Sequence, residues 1–129
     1  MELLLRAALL DWLAADPDLA EAFHSIAEDP PAAAAPPWIA LAASAAADWG
    51  AKERRGAEVR VALEVHQRGD TPADLAAPVE ALHRRIADFP FAHDGFELAS
   101  LRFLRSRHER RERIVRATLI EYRFRIFAN

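Results

Sequence analysis

The chain has 129 residues, of which 52% are hydrophobic and 29% charged; this fits one domain, 1–129, with a single core between two packed layers, and excludes a disordered chain. A formal net charge of -3 gives no global basic footprint for nucleic acid, so any such binding has to be local. The absence of cysteine excludes disulfides, thiolate nucleophiles and cysteine-ligated metals, and is compatible with the cytoplasm.

The opening MELLLRAALLDWLAA is apolar, but Glu2 stands where a secretion signal has a basic start, and Arg6 and Asp11 interrupt the run. It reads as a helix over 2–14. Leu5, Leu9, Trp12 and Leu13 fall on one face and Leu3, Leu4 and Leu10 widen it, which predicts a largely buried helix. No stretch approaches the roughly 20 uninterrupted apolar residues of a membrane span. Asp16 can cap a second, shorter helix with Pro17 at its first position and Leu19, Phe23 and Ile26 along one face, ending before Asp29. The segment PPAAAAPP, residues 30–37, cannot sustain a helix and predicts an extended connector.

Trp38 to Ser44 is the candidate first strand, although alanine is a poor strand former. Asp48, Trp49 and Gly50 then lead into the polar loop AKERRG. Glu58 to Gln67 alternates cleanly: Val59, Val61, Leu63 and Val65 point to a core, and Glu58, Arg60, Glu64 and His66 to water. Asp70 or Thr71 can cap the next helix, along which Leu75, Val79, Leu82 and Ile86 form a stripe. Pro78 requires either a kink or a separate first turn, with the main helix beginning near Ala77.

His93-Asp94-Gly95 predicts a turn. The next strand runs through Phe96, Leu98, Leu101 and Phe103, with a phase slip near Ser100 that suggests a bulge. In the last strand Ile114, Thr118, Ile120, Tyr122, Phe124 and Ile126 share one face, and Arg113, Glu121, Arg123 and Arg125 the other. The expected fold class is α+β, in the order α-α-β-β-α-β-β: an antiparallel four-stranded sheet with helices packed on one face.

Charge is distributed unevenly along this order. Residues 102–125 hold nine arginines against Glu109, Glu112 and Glu121, whereas residues 1–50 hold eight acids and one base, Arg6. Opposite poles of this kind favour head-to-tail association, and such contacts close into rings or extend into filaments. A strand with one solvated face would produce the same alternation. Sixteen arginines beside one lysine, Lys52, point to GC-rich coding, so a single arginine carries little weight. Arg105, Arg107, Arg110, Arg111 and Arg113 nevertheless surround the last hairpin connection, a tip that would touch a neighbouring protein or passing DNA.

No enzyme is expected. His24, His66, His83, His93 and His108 show no metal-ligand spacing, so neither a metal nor another cofactor is implied. Gly50, Gly56, Gly69 and Gly95 are too scattered for a phosphate loop, and Ser25, Ser44, Ser100 and Ser106 lack the glycines of a nucleophile elbow.

The element order, with WIALAASAAADWG after the proline segment, EVRVALEVHQRG, ASLRFLRSRHERR and the closing EYRFRIF, resembles the tail terminator, or tail-completion, proteins of long-tailed phages, and especially those of gene transfer agents. The resemblance covers nearly the whole chain. It implies a virion structural protein that forms a ring, usually a hexamer, on the last ring of the tail tube, stops tube growth and offers the surface for head–tail joining. The implied partners are further copies of itself, the tail tube protein and the head–tail connector protein, with transient proximity to DNA and no membrane. The protein would be cytoplasmic during assembly and then sit at the head–tail junction of the particle. The family brings no catalytic residues. Asp48, Trp49 and Gly50 match its post-strand loop, and Leu101, Arg102 and Phe103 match its strand before the turn. Trp49 is then either packed against its own sheet or an exposed interface anchor. The alternative function is a nucleic-acid-binding accessory protein that uses the Arg-rich hairpin tip.

Overall fold

The computed structural model describes residues 1–31 and 35–129; the middle of the expected proline connector lies outside the described residues. Three helices, α1 (Glu2–Ala14), α2 (Pro17–Ala22) and α3 (Ala76–Ala87), accompany six strands: β1 (Ser25–Ala27), β2 (Trp38–Asp48), β3 (Gly56–Arg68), β4 (Ala92–His93), β5 (Phe96–Arg110) and β6 (Val115–Ala128). They form one sheet in the order β1-β2-β3-β6-β5-β4. The α+β class holds, but the expected four-stranded antiparallel sheet is corrected to six strands. The two additions are short edge strands, and β1 runs parallel to β2.

β1 was hidden inside the expected second helix. Leu19, Phe23 and Ile26 keep helical spacing, yet α2 ends at Ala22 and Phe23 is already extended, at φ -124° and ψ 136°. Ile26 lies instead in β1, opposite Ile39 of β2. Asp16 does cap α2, its side chain accepting from the Leu19 N–H at 3.1 Å. In α1, Leu5, Leu9 and Leu13 are fully buried, but Leu3 and Leu4 are 75% and 49% exposed, so the buried stripe is narrower than expected.

β2 runs on through its alanines to Asp48, because ladder pairing to β3 outweighs their weak intrinsic preference. A register shift between Leu41 and Ala43 changes the phase, so that Ser44 pairs with Val61 on the helix side. There Arg6 of α1 donates to Ser44 Oγ at 2.7 Å and to the Leu41 carbonyl at 3.1 Å, and it pairs with Glu28. The Glu28 hydrogen bond raises the Arg6 pKa above its ordinary value.

Pro78 is accommodated by a separate first turn: Pro72–Leu75 is a 3-10 turn, and α3 begins at Ala76. No side chain caps either one, so the expected Asp70 or Thr71 cap is not formed. Gly95 adopts φ 92° in the turn between β4 and β5, a backbone region that suits glycine. The slip near Ser100 is a bulge, and a second one lies between Phe103 and Arg105. Ile114 and Arg113 precede β6 in the connection instead of belonging to its faces.

The core lies between the helices and one sheet face. Leu5, Leu9, Leu13, Leu19, Leu82 and Ile86 of the helices pack with Val59, Val61, Leu63 and Val65 of β3 and with Ile120, Tyr122, Phe124 and Ile126 of β6. The opposite sheet face carries the charged positions of β3, β5 and β6.

Candidate interaction surface

Residues directly opposite one another in neighbouring strands share a sheet face, so the register defines the charged surface. One row across β2, β3, β6 and β5 reads Ala45, Arg60, Arg123 and Arg102. The row on one side reads Ala47, Glu58, Arg125 and Ser100, and that on the other Ala43, Ala62, Glu121 and Arg105. Three arginines therefore lie side by side on adjacent strands. Like charges directly opposite are destabilising, on the scale of the ~0.2–1 kcal/mol by which favourable cross-strand pairs stabilise a sheet.

The acids on this face neutralise that row only in part. Glu58 reaches Arg123 Nε only at 3.7 Å, too far for a hydrogen bond, and the Nε atoms of Arg123 and Arg125 are buried without an acceptor. Arg60 and Arg102 form no ion pair within 4 Å among the described residues.

The five arginines expected around the hairpin tip separate. Arg105 pairs with Glu121 at 3.0 Å, and this hydrogen bond raises its pKa. Arg107 pairs with Glu109 at 2.8 Å, and Arg111 with Glu109 at 3.2 Å and Glu64 at 3.4 Å. Arg110 ends β5 opposite Arg116, and Arg113 is exposed in the connection. Arg105 and Arg107 flank a depression of about 330 Å³ floored by Leu119 and Glu121, on the same face as the arginine row.

Trp49 sits at the far corner. It is half-buried, its ring 4.9 Å from that of Phe127, with the Arg125 guanidinium 5.3 Å from its centre. Arg54 lies 4.2 Å over the other aromatic, Phe127, and pairs with Glu97. Trp49 thus packs against its own sheet while keeping part of its ring in solvent.

The histidines have local partners. His66 stacks on Trp38 at 3.8 Å, His93 lies between Phe89 and Phe96 at 4.4 and 4.6 Å, and His108 Nδ1 is 2.9 Å from Thr118 Oγ1. His83 Nδ1 is 2.5 Å from Tyr122 Oη, beside an apolar depression that also includes Ala87, Leu101 and Phe103. Among the described residues no group of three or more His, Asp or Glu side chains is placed to hold a metal. Among the described residues no helix is long and apolar enough to cross a membrane.

Helices on one sheet face and a bare charged opposite face define a mixed α+β protein whose distinguishing features are surfaces. The family described as Tail completion protein gp17 matches residues 7–127, and the chain belongs to that family of phage tail structural proteins. Among solved structures it is similar to a chain from "Virion of native gene transfer agent (GTA) particle", with 26% identity, a TM-score of 0.78, and coverage of 95% of this chain and 94% of that one. No curated protein matches.

Proposed function

We propose that the protein caps the tail tube of a phage-like particle as a ring, ends tube polymerisation and joins the tail to the head. Family membership over residues 7–127 is the observation that carries this reading. The solved relative, part of a gene transfer agent virion, supports a place in such a particle and matches at nearly full length. The reading takes the ring to be a homo-hexamer that contacts the tail tube protein on one side and the head–tail connector on the other.

Charge supports a head-to-tail ring. The acids of the helical layer include exposed Asp11, Asp18 and Glu21, whereas the hairpin presents Arg105, Arg107, Arg110, Arg111 and Arg113. A repeated contact between unlike patches is heterologous, and it closes when the rotation per subunit divides the circle. In this reading Trp49 is a subunit or tube contact that uses the exposed part of its ring.

Electron microscopy of particles made with and without the gene tests the function. Overlong tubes or tailless heads in its absence are the expected result. Normal tailed particles would remove the terminator reading and bring forward the accessory nucleic-acid role of the hairpin tip.

A further inference from the structure

We infer that the helix-free sheet face is a contact surface for the phosphate backbone of duplex DNA, centred on Arg60, Arg123 and Arg102 and not on the hairpin tip. The register sets these three residues on successive strands, and strands lie ~4.8 Å apart, so three cations occupy ~10 Å of one face. Arg60 and Arg102 lack ion pairs among the described residues, whereas Arg123 between them has a loose pair with Glu58 at 3.7 Å and a buried Nε without a hydrogen-bond acceptor. An arriving phosphate would meet the exposed side chains of Arg60 and Arg102 and relieve the repulsion along the row. By contrast, Arg105, Arg107 and Arg111 around the tip already have carboxylate partners.

The relief of the surface distinguishes the partner. A protein interface centres on buried apolar or aromatic anchors. The large exposed hydrophobic residues of this chain are Leu3, Leu4, Phe91, Phe103 and Ile114, and none lies on this face: two are in α1, Phe91 precedes β4, Phe103 pairs with Tyr122 on the helix side, and Ile114 is in the β5–β6 connection. Beside the row β2 presents Ala43, Ala45 and Ala47, which leave a low, uncluttered approach for a stiff rod. Trp38 is buried against His66, so it offers no platform for stacking single-stranded bases. A row of cations, two of them without ion pairs among the described residues, with the aromatic pair Trp49 and Phe127 confined to one corner of the face, suits a duplex backbone read through its charge. The surface is complete in one subunit, so this inference stands independently of ring closure.

The test is binding of a labelled duplex to the purified full chain as salt is varied. Three phosphate contacts give a slope of log K against log salt of about -2.7, so raising salt fourfold from about 50 mM should weaken binding by about 40-fold. The double variant R60Q/R102Q should bind more weakly at low salt and lose affinity only about 3- to 4-fold over the same range. R60K/R102K should restore the slope, which separates loss of charge from loss of fold. R110Q/R113Q should behave as the unmodified protein. Three results would overturn the inference: no binding at low salt, loss of binding in the tip variant but not the row variant, or a row variant that changes only self-association in sedimentation velocity. A normal tail phenotype without the gene would remove the terminator reading and leave this measurement untouched.

Discussion

The Arg85 guanidinium lies 3.3 Å from the centre of the Trp12 ring, and the two residues bond reciprocally to each other's backbone. Trp12 Nε1 donates to the Arg85 carbonyl at 2.7 Å, and Arg85 Nε donates to the Trp12 carbonyl at 2.9 Å. Arg85 Nη1 is also 3.9 Å from Asp16, the N-cap of α2. One side chain therefore joins all three helices at the edge of the core. Replacing Arg85 by Lys keeps the charge but removes the planar stack and the fixed Nε donor. The expected loss is about 1–2 kcal/mol in urea denaturation. Combined with Trp12→Phe, the losses should be less than additive in a double-mutant cycle.

Tyr122 is the only tyrosine in the chain, which makes its ionisation directly readable. Burial first, and then the nearby charge of Glu80, push its pKa up to about 12. The folded pKa lies above the unfolded value of about 10, so the folded state retains the proton longer. This contribution to stability is fully present below about pH 10 and is lost as pH rises towards about 12. Spectroscopic titration of tyrosinate should give a folded midpoint near 12 and an unfolded one near 10. A folded midpoint near 10 would mean that the phenol is open to water.

Trp49→Ala should leave a folded monomer that is weaker by about 1–2 kcal/mol, since it removes a half-buried ring packed on Phe127. Thermal denaturation reads the stability, and assembly on tail tubes reads the contact. Complete unfolding would assign Trp49 to the core alone; unchanged assembly would remove it from the interface.

Gly50→Ala should destabilise by about 1–3 kcal/mol, because a Cβ there would lie 2.7 Å from both the Arg54 carbonyl oxygen and the Gly56 nitrogen. Both neighbours are backbone atoms of the turn before β3 and cannot rotate away. Denaturant midpoints should fall accordingly, whereas an unchanged midpoint would show that the 50–56 turn can open at little cost.

How much of this was legible in the sequence depended on whether the signal was local. Alternation in Val59, Val61, Leu63 and Val65 located β3, and the displaced phase at Ser100 located a bulge. The second bulge, at Leu104, went unread because Arg105 and Arg107 beyond it resume a charged alternation, with no further apolar residue in β5 to show the changed phase. Ile26 misled because a three-residue strand can imitate the last turn of a helix. For the arginine row the facing was readable, since Arg60 and Arg123 both fell on predicted wet faces. What was missing was the adjacency of β3 and β6, which brings together residues more than sixty positions apart. The arginines at the tip form a dense local run, whereas Arg60, Arg102 and Arg123 are dispersed along the chain. The Trp12–Arg85 clamp joins residues 73 apart and left no periodic trace.

β6 lies between β3 and β5, so the sheet is held together by the strand made last among its six. Gly56 waits for Phe127 and Arg68 for Val115. Until β6 is inserted, β3 and β5 present open edges, and pairings across such long separations form slowly, on the millisecond-to-second scale. The same strand supplies the central member of the arginine row and the main apolar seam under the helices. The apolar seam under the helices and the middle column of the charged face are therefore completed only once β6 has been made and inserted.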